Sequence, residues 1–210
     1  MLKKHFTYLM AKFSSRFAMN KSRNMETTPL EECTFGSLRQ LYKEKRPMEY
    51  SIPITFQIAN SLIGKSMYEI MDHLGKPLMV KKRVKAGVVH NRLVFQVNRD
   101  TFNARIKVEM INRQLATVTY SYFKQSPEEM DAWKAAIAEI HEFSTEHLNN
   151  FEFCYRDKSG NRVICRQHPE MQITYIHMDR AIEQSINAAV FFETFTNMKT
   201  GMERQVQLSA

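Results

Sequence analysis

Glycine and proline are scarce in this chain, six of each in 210 residues, which excludes a collagen-like, low-complexity or disordered polymer. No apolar run approaches the roughly 18 residues that a membrane-spanning helix needs. Cysteine is limited to Cys33, Cys154 and Cys165, with no close pair. A disulfide scaffold and a Cys-x-x-Cys metal site are thereby excluded, and a reducing, cytoplasmic compartment is expected. An organelle is the alternative if the source is eukaryotic. Acids are absent from residues 1–25, which hold six Lys and Arg.

Apolar residues, by contrast, are plentiful. They make up 43% of the chain, with 14 Phe, 8 Tyr and 14 Met, enough for one packed core. We expect a basic amphipathic arm over 1–25, a single domain over 26–200 and a loose tail over 201–210. The net charge of +8 is unevenly spread. Residues 76–125 hold eleven Lys and Arg against two acids, whereas 126–150 hold six acids and one Lys. Such polarity steers an anionic partner, although it says nothing about fold. In the arm, Leu2, Phe6, Leu9, Met10, Phe13 and Phe17 form one helical stripe. It suits docking on the domain, lying on an anionic membrane or nucleic acid, or organelle targeting.

Periodicity assigns the rest. Thr28-Pro29-Leu30-Glu31 has capping-box spacing for a helix within 29–45. Tyr50, Ile52, Ile54, Phe56 and Ile58 alternate as a strand, at an edge because of Pro53. A helix over 61–74 follows, capped by Asn60 and Gly75. From 77 to 124 the period is two, giving a meander of strands over 78–85, 88–97, 103–111 and 115–124. Its core face carries Leu93, Phe95, Val97, Ala104, Ile106, Val108, Met110, Ala116, Val118, Tyr120 and Tyr122. Its solvent face carries Arg92, Gln96, Arg105, Lys107, Glu109, Thr119 and Ser121. Ser126-Pro127-Glu128-Glu129 opens a helix to about 149. A hairpin turning at 157–160, a strand near 171–177 and a helix over 179–198 complete an α+β domain. Its antiparallel sheet is expected to be covered on one side by helices.

Ala59-Asn60-Ser61-Leu62-Ile63-Gly64-Lys65-Ser66 satisfies the formal phosphate-loop pattern, after a strand and before a helix. Lys65 would meet the outer phosphates and Ser66 a magnesium ion. Yet positions 60–63 hold no glycine to let the backbone approach phosphate, and the preceding strand alternates instead of reading as buried parallel sheet. The nearest acidic strand end is Asp179. Gly64, Lys65 and Ser66 therefore stand as a lesser nucleotide site, and the stretch reads mainly as structural.

Other constellations carry less. His141 and His147 are six apart and diverge on a helix, so they suit surface positions better than zinc. A type I turn at Asp157 with Gly160 as a bulge pairs Tyr155 with Val163 and Phe153 with Cys165, which keeps Cys154 and Cys165 from bonding to each other. His90 and His168 lack neighbours in sequence that would mark them as catalytic. No catalytic residue, cofactor or metal is expected, and a non-enzymatic role is favoured over an enzyme with an unrecognised pocket.

The densest chemical signal is Val80–Arg92. Lys81, Arg83, Lys85, Arg92, Arg105 and Lys107 are the candidate nucleic-acid contacts, acting through phosphate with little sequence preference. The absence of aromatic residues on that face weighs against base stacking, and lysines also protect sheet edges. The element order is similar to that of type III secretion chaperones, which implies a protein-binding adaptor as the alternative. Those chaperones are small and acidic, and this chain is neither.

Overall fold

The computed structural model describes residues 34–43, 49–51, 61–98, 103–123, 135, 138, 152–166 and 171–208. In chain order these form α1 (Phe35–Lys43), β1 (Glu49–Ser51), α2 (Met67–Leu74), β2 (Met79–Lys85), β3 (Val88–Asn98), β4 (Asn103–Ile111), β5 (Gln114–Tyr122), β6 (Glu152–Arg156), β7 (Arg162–Arg166), β8 (Met171–Ile176) and α3 (Arg180–Leu208). The arm, the helix start at Thr28, the strand over 52–58, His141, His147, His168 and Cys33 lie outside the described residues. Of the helix expected over 127–149, only Ala135 and Ala138 are described, and both are helical.

The strands form one sheet in the order β1-β6-β7-β8-β5-β4-β3-β2. Seven of them pair antiparallel, and β1 adds to the β6 edge in parallel. The expected α+β class and meander are what the chain adopts. Local chemistry explains the turns. Ala86 and Gly87 between β2 and β3, and Asn112 and Arg113 between β4 and β5, all have positive φ. Both are two-residue type I′ turns, whose twist matches that of the strands they join. The 157–160 turn closes through Gly160 N–H on Asp157 O at 2.9 Å, with Gly160 at φ 82°. Tyr155 faces Val163 and Phe153 faces Cys165, the register expected from the hydrophobic pattern.

The helices divide between the two faces instead of sharing one. On the front face Leu62, Ile70 and Leu74 and Ala138 pack over Leu93, Phe95, Ile106, Val118 and Tyr122. On the back face Phe35, Leu38 and Tyr42 of α1 and Ile182, Ile186 and Ala189 of α3 pack over Val88, Ile111, Ala116, Ile164 and Ile176. Cys154 lies in the back cluster and Cys165 in the front one, so the two thiols are separated by the sheet and form no disulfide.

One irregularity sets how α1 and α3 sit. Glu109 pairs with Thr117 but Met110 pairs with Leu115, so Ala116 is an extra residue in β5. This bulge turns Ala116 to the back face, not to the core face with Val118 as strict alternation would place it. Its carbonyl accepts from His177 N–H at 2.9 Å and from the Tyr42 hydroxyl at 3.4 Å, and that hydroxyl also donates to His177 O at 2.8 Å. Burial, together with the charges of Asp179, Glu183 and Glu109, pushes the Tyr42 phenol well above its usual range, so it stays a donor.

Candidate binding surface

The phosphate-loop stretch is built differently from its sequence reading. Residues 61–62 are helical, a turn follows with Gly64 at φ 79°, and α2 begins only at Met67. Its N-cap is Ser66, not Asn60. The Ser66 hydroxyl accepts from Glu69 N–H at 3.3 Å, while the Glu69 carboxylate accepts from Ser66 N–H at 2.8 Å. Hydrogen bonds from the Ser66 backbone and side chain hold the Glu69 carboxyl below its usual range. A carboxylate thus occupies the place where a phosphate would sit at the helix start. Lys65 donates its backbone N–H to Leu62 O at 3.2 Å, and Leu62 is core. Asp179 caps α3, its Oδ1 accepting from Ala181 N–H at 2.8 Å and Ile182 N–H at 3.1 Å. The sequence signal for this cap is the Ser66-x-x-Glu69 spacing, which shares Ser66 with the Gly-Lys-Ser pattern.

The six basic candidates do share the back face. Direct partners across a ladder lie on one side of a sheet, and Lys81 faces Arg92, Arg83 faces His90 and Lys85 faces Val88. Arg92 faces Glu109, and Arg105 and Lys107 follow on alternate positions of β4. Their environments differ, however. Lys81 is exposed, and Arg83, Lys85, Arg105 and Lys107 are half-buried.

Arg92 departs from the expected solvent face. It is 5% exposed and belongs to a polar cluster within the sheet. Its Nη2 and Nε donate to Glu109 Oε1 at 2.8 and 3.1 Å, and Thr117 Oγ1 donates to Oε2 at 2.9 Å. His90 Nε2 stands 3.7 Å from Oε1, and the His90 ring tilts against Phe35 of α1 with centroids 5.5 Å apart. Burial alone would raise the Glu109 carboxyl. His90, Lys107 and Arg92 outweigh it and hold the group at about 2. Glu109 and Thr119, read from alternation as solvent-facing, are buried too, with Thr119 Oγ1 3.2 Å from Thr174 Oγ1.

Arg105 also has a neighbour that the sequence reading overlooked. Its guanidinium carbon lies 5.3 Å from the centre of the Phe123 ring, a cation–π contact just past the end of β5. Alternation from Ser121, the partner of Arg105, puts Phe123 on this face, so the expected absence of aromatic residues there does not hold.

One open feature is the β2 edge. β2 ends the sheet, and among the described residues no strand pairs with its outer side. Its exposure combines charge with apolar surface: Lys81 and Lys82 are open, as are Val80 at 50% and Val84 at 52%, with Leu78 at 66% just before them. A second exposed apolar group lies on α3, where Phe191, Phe192 and Phe195 follow Ala189, the last buried residue among those described in the helix. α3 reaches Leu208, past the expected end near 198 and into the expected loose tail. Among the described residues no helix is long and apolar enough to cross a membrane. Compared with protein-family models, curated proteins and solved structures, the chain matches none.

Proposed function

We propose that the chain is a non-enzymatic binding protein that captures a protein partner along the β2 side of its sheet. The observation that carries this reading is the interleaving of exposed Leu78, Val80 and Val84 with Lys81 and Lys82 on an edge that no described strand covers. Cations alone favour any polyanion. Aliphatic side chains left in water between them favour a surface that buries carbon as well as charge. Placing a photo-crosslinking residue at position 80 in producing cells tests it. A discrete protein adduct is expected, and its absence would overturn the reading.

Nucleic acid held through phosphate is the second reading, favoured by Lys81, Arg83, Lys85, Arg105 and Lys107 sharing one face. It ranks second because Arg92 is bound to Glu109 and Arg105 lies over Phe123. A fluorescence-anisotropy salt series with a single-stranded oligonucleotide decides it. Under this reading, replacing Arg105 and Lys107 with Ala flattens log affinity against log salt by about two counterions. Equal slopes, or no binding at low salt, remove it.

A further inference from the structure

We propose that the outer edge of β2 accepts an acidic, extended segment of a partner protein as a ninth strand of the sheet. The inference rests on the protein-binding reading above and names the chemistry of the partner.

The backbone sets the geometry. A two-residue type I′ turn at Ala86-Gly87 makes Lys85 and Val88 a hydrogen-bonded pair. Along an antiparallel strand, residues alternate in which neighbour receives both their N–H and C=O. Met79, Lys81, Arg83 and Lys85 therefore spend theirs on β3. Val80, Lys82 and Val84 present theirs outward, three donor–acceptor sets on an edge that no described strand covers.

The side chains set the sequence of the guest. Val80, Lys82 and Val84 stand on the front face beside Leu93, Asn91 and Val89, while Lys81, Arg83 and Lys85 stand on the back. A strand lying antiparallel along this edge meets, in order, an aliphatic, three cations and an aliphatic. Its complement is two aliphatic residues four apart, enclosing three consecutive Asp or Glu, with another acid opposite Lys85. Main-chain bonds would supply the affinity, and this charge pattern the choice of partner.

Lysine on an edge commonly prevents sheet-to-sheet pairing, and here it bars one occupant in particular. A second copy pairing about Lys82 would set Lys81 against Arg83 and Lys82 against Lys82, cation on cation. Protection alone would not leave Val80 and Val84 half-exposed between those charges. The edge is closed to itself and complementary to an acidic strand.

The test uses the full chain and a fluorescent peptide with Glu opposite Lys81, Lys82, Arg83 and Lys85 and Val opposite Val80 and Val84. Saturable binding is expected, with hydrogen-exchange protection of the Val80, Lys82 and Val84 amides. Lys82→Pro removes an outward N–H and no bond to β3, so affinity should fall at least tenfold while the thermal midpoint holds. Lys81→Glu with Arg83→Glu should lose the acidic peptide and gain its Lys-substituted counterpart, which fixes the result should the proline variant fold poorly. Binding indifferent to Lys82→Pro in a folded variant, binding of oligonucleotide but not peptide, or association of the chain with itself through this edge would each overturn the inference. A protein adduct from position 80 without peptide binding sinks the acidic strand yet leaves the protein-binding reading standing; no adduct removes both.

Discussion

Lys81 and Arg92 stand opposite one another on adjacent strands and on the same face of the sheet. One is open to solvent; the other is 5% exposed and fixed to a buried carboxylate. Periodicity gives them the same reading, since alternation reports the face and not what lies above it. The difference comes from position in the sheet. β3 lies between β2 and β4, and α3 and α1 bring Phe35 and Ile186 onto the back face. Among the described strands, β2 has a neighbour on one side only. A basic side chain on an inner strand must therefore find an anion, whereas on the edge it can keep its water.

The comparison breaks most visibly by truncation. Arg92→Ala leaves Glu109 buried without its guanidinium partner, with the Thr117 hydroxyl, His90 and the charge of Lys107 remaining. Loss of about 3–5 kcal/mol is expected in urea unfolding. Lys81→Ala should change stability by less than about 0.5 kcal/mol. Similar costs for the two would mean that their environments are alike after all.

A pH series sharpens the same contrast. Glu109 is held at about 2 in the fold, below an ordinary carboxyl at 4.5. A carboxyl lowered on folding binds its proton more readily when the chain is unfolded. Its contribution is therefore complete above about 4.5 and is lost as pH falls towards 2. That contribution is about 3–4 kcal/mol, counting roughly 1.4 kcal/mol for each unit. Glu109→Gln should be the less stable protein at neutral pH and should converge with wild type below about pH 2. Parallel thermal midpoints for the two proteins from pH 6 to 2 would show that Glu109 does not titrate against the fold.

How much could be read in advance follows the same physics. Strand positions from 79 to 122, the 157–160 turn and its register were legible, because each depends on residues a few positions apart. The division of helices between two faces was not legible, since both faces contain apolar residues and only long-range packing assigns α3 to the back. Ala116 was misplaced because a bulge shifts phase without a sequence mark at that position. Of the candidate surface, Arg105 and Lys107 were legible as sharing a face, whereas Lys81, Arg83 and Lys85 join them only through the β2–β3 register. The value of Val80 and Val84 became evident only once β2 proved to be an edge.

The α2 start provides a smaller contrast of the same kind, between two adjacent residues that one motif joins. Ser66 is tied into reciprocal hydrogen bonds with Glu69, whereas the Lys65 side chain is half-buried beside the turn. Ser66→Ala should cost about 1 kcal/mol, the usual value of a lost N-cap hydroxyl. Lys65→Ala should cost less than about 0.5 kcal/mol, since its ammonium acts on the exposed Glu69 carboxylate only through charge, the least of the influences on that group. A working phosphate loop demands the opposite ranking in function: both changes would abolish nucleotide binding, and Lys65 would matter at least as much as Ser66. Titration of wild type and both variants with labelled ATP and GTP separates the two accounts. Absence of saturable binding, with stability changed mainly by Ser66→Ala, identifies the stretch as a helix start. Micromolar binding lost in Lys65→Ala would restore the nucleotide site, and the Glu69 carboxylate would then have to swing away from Ser66 to admit the phosphate.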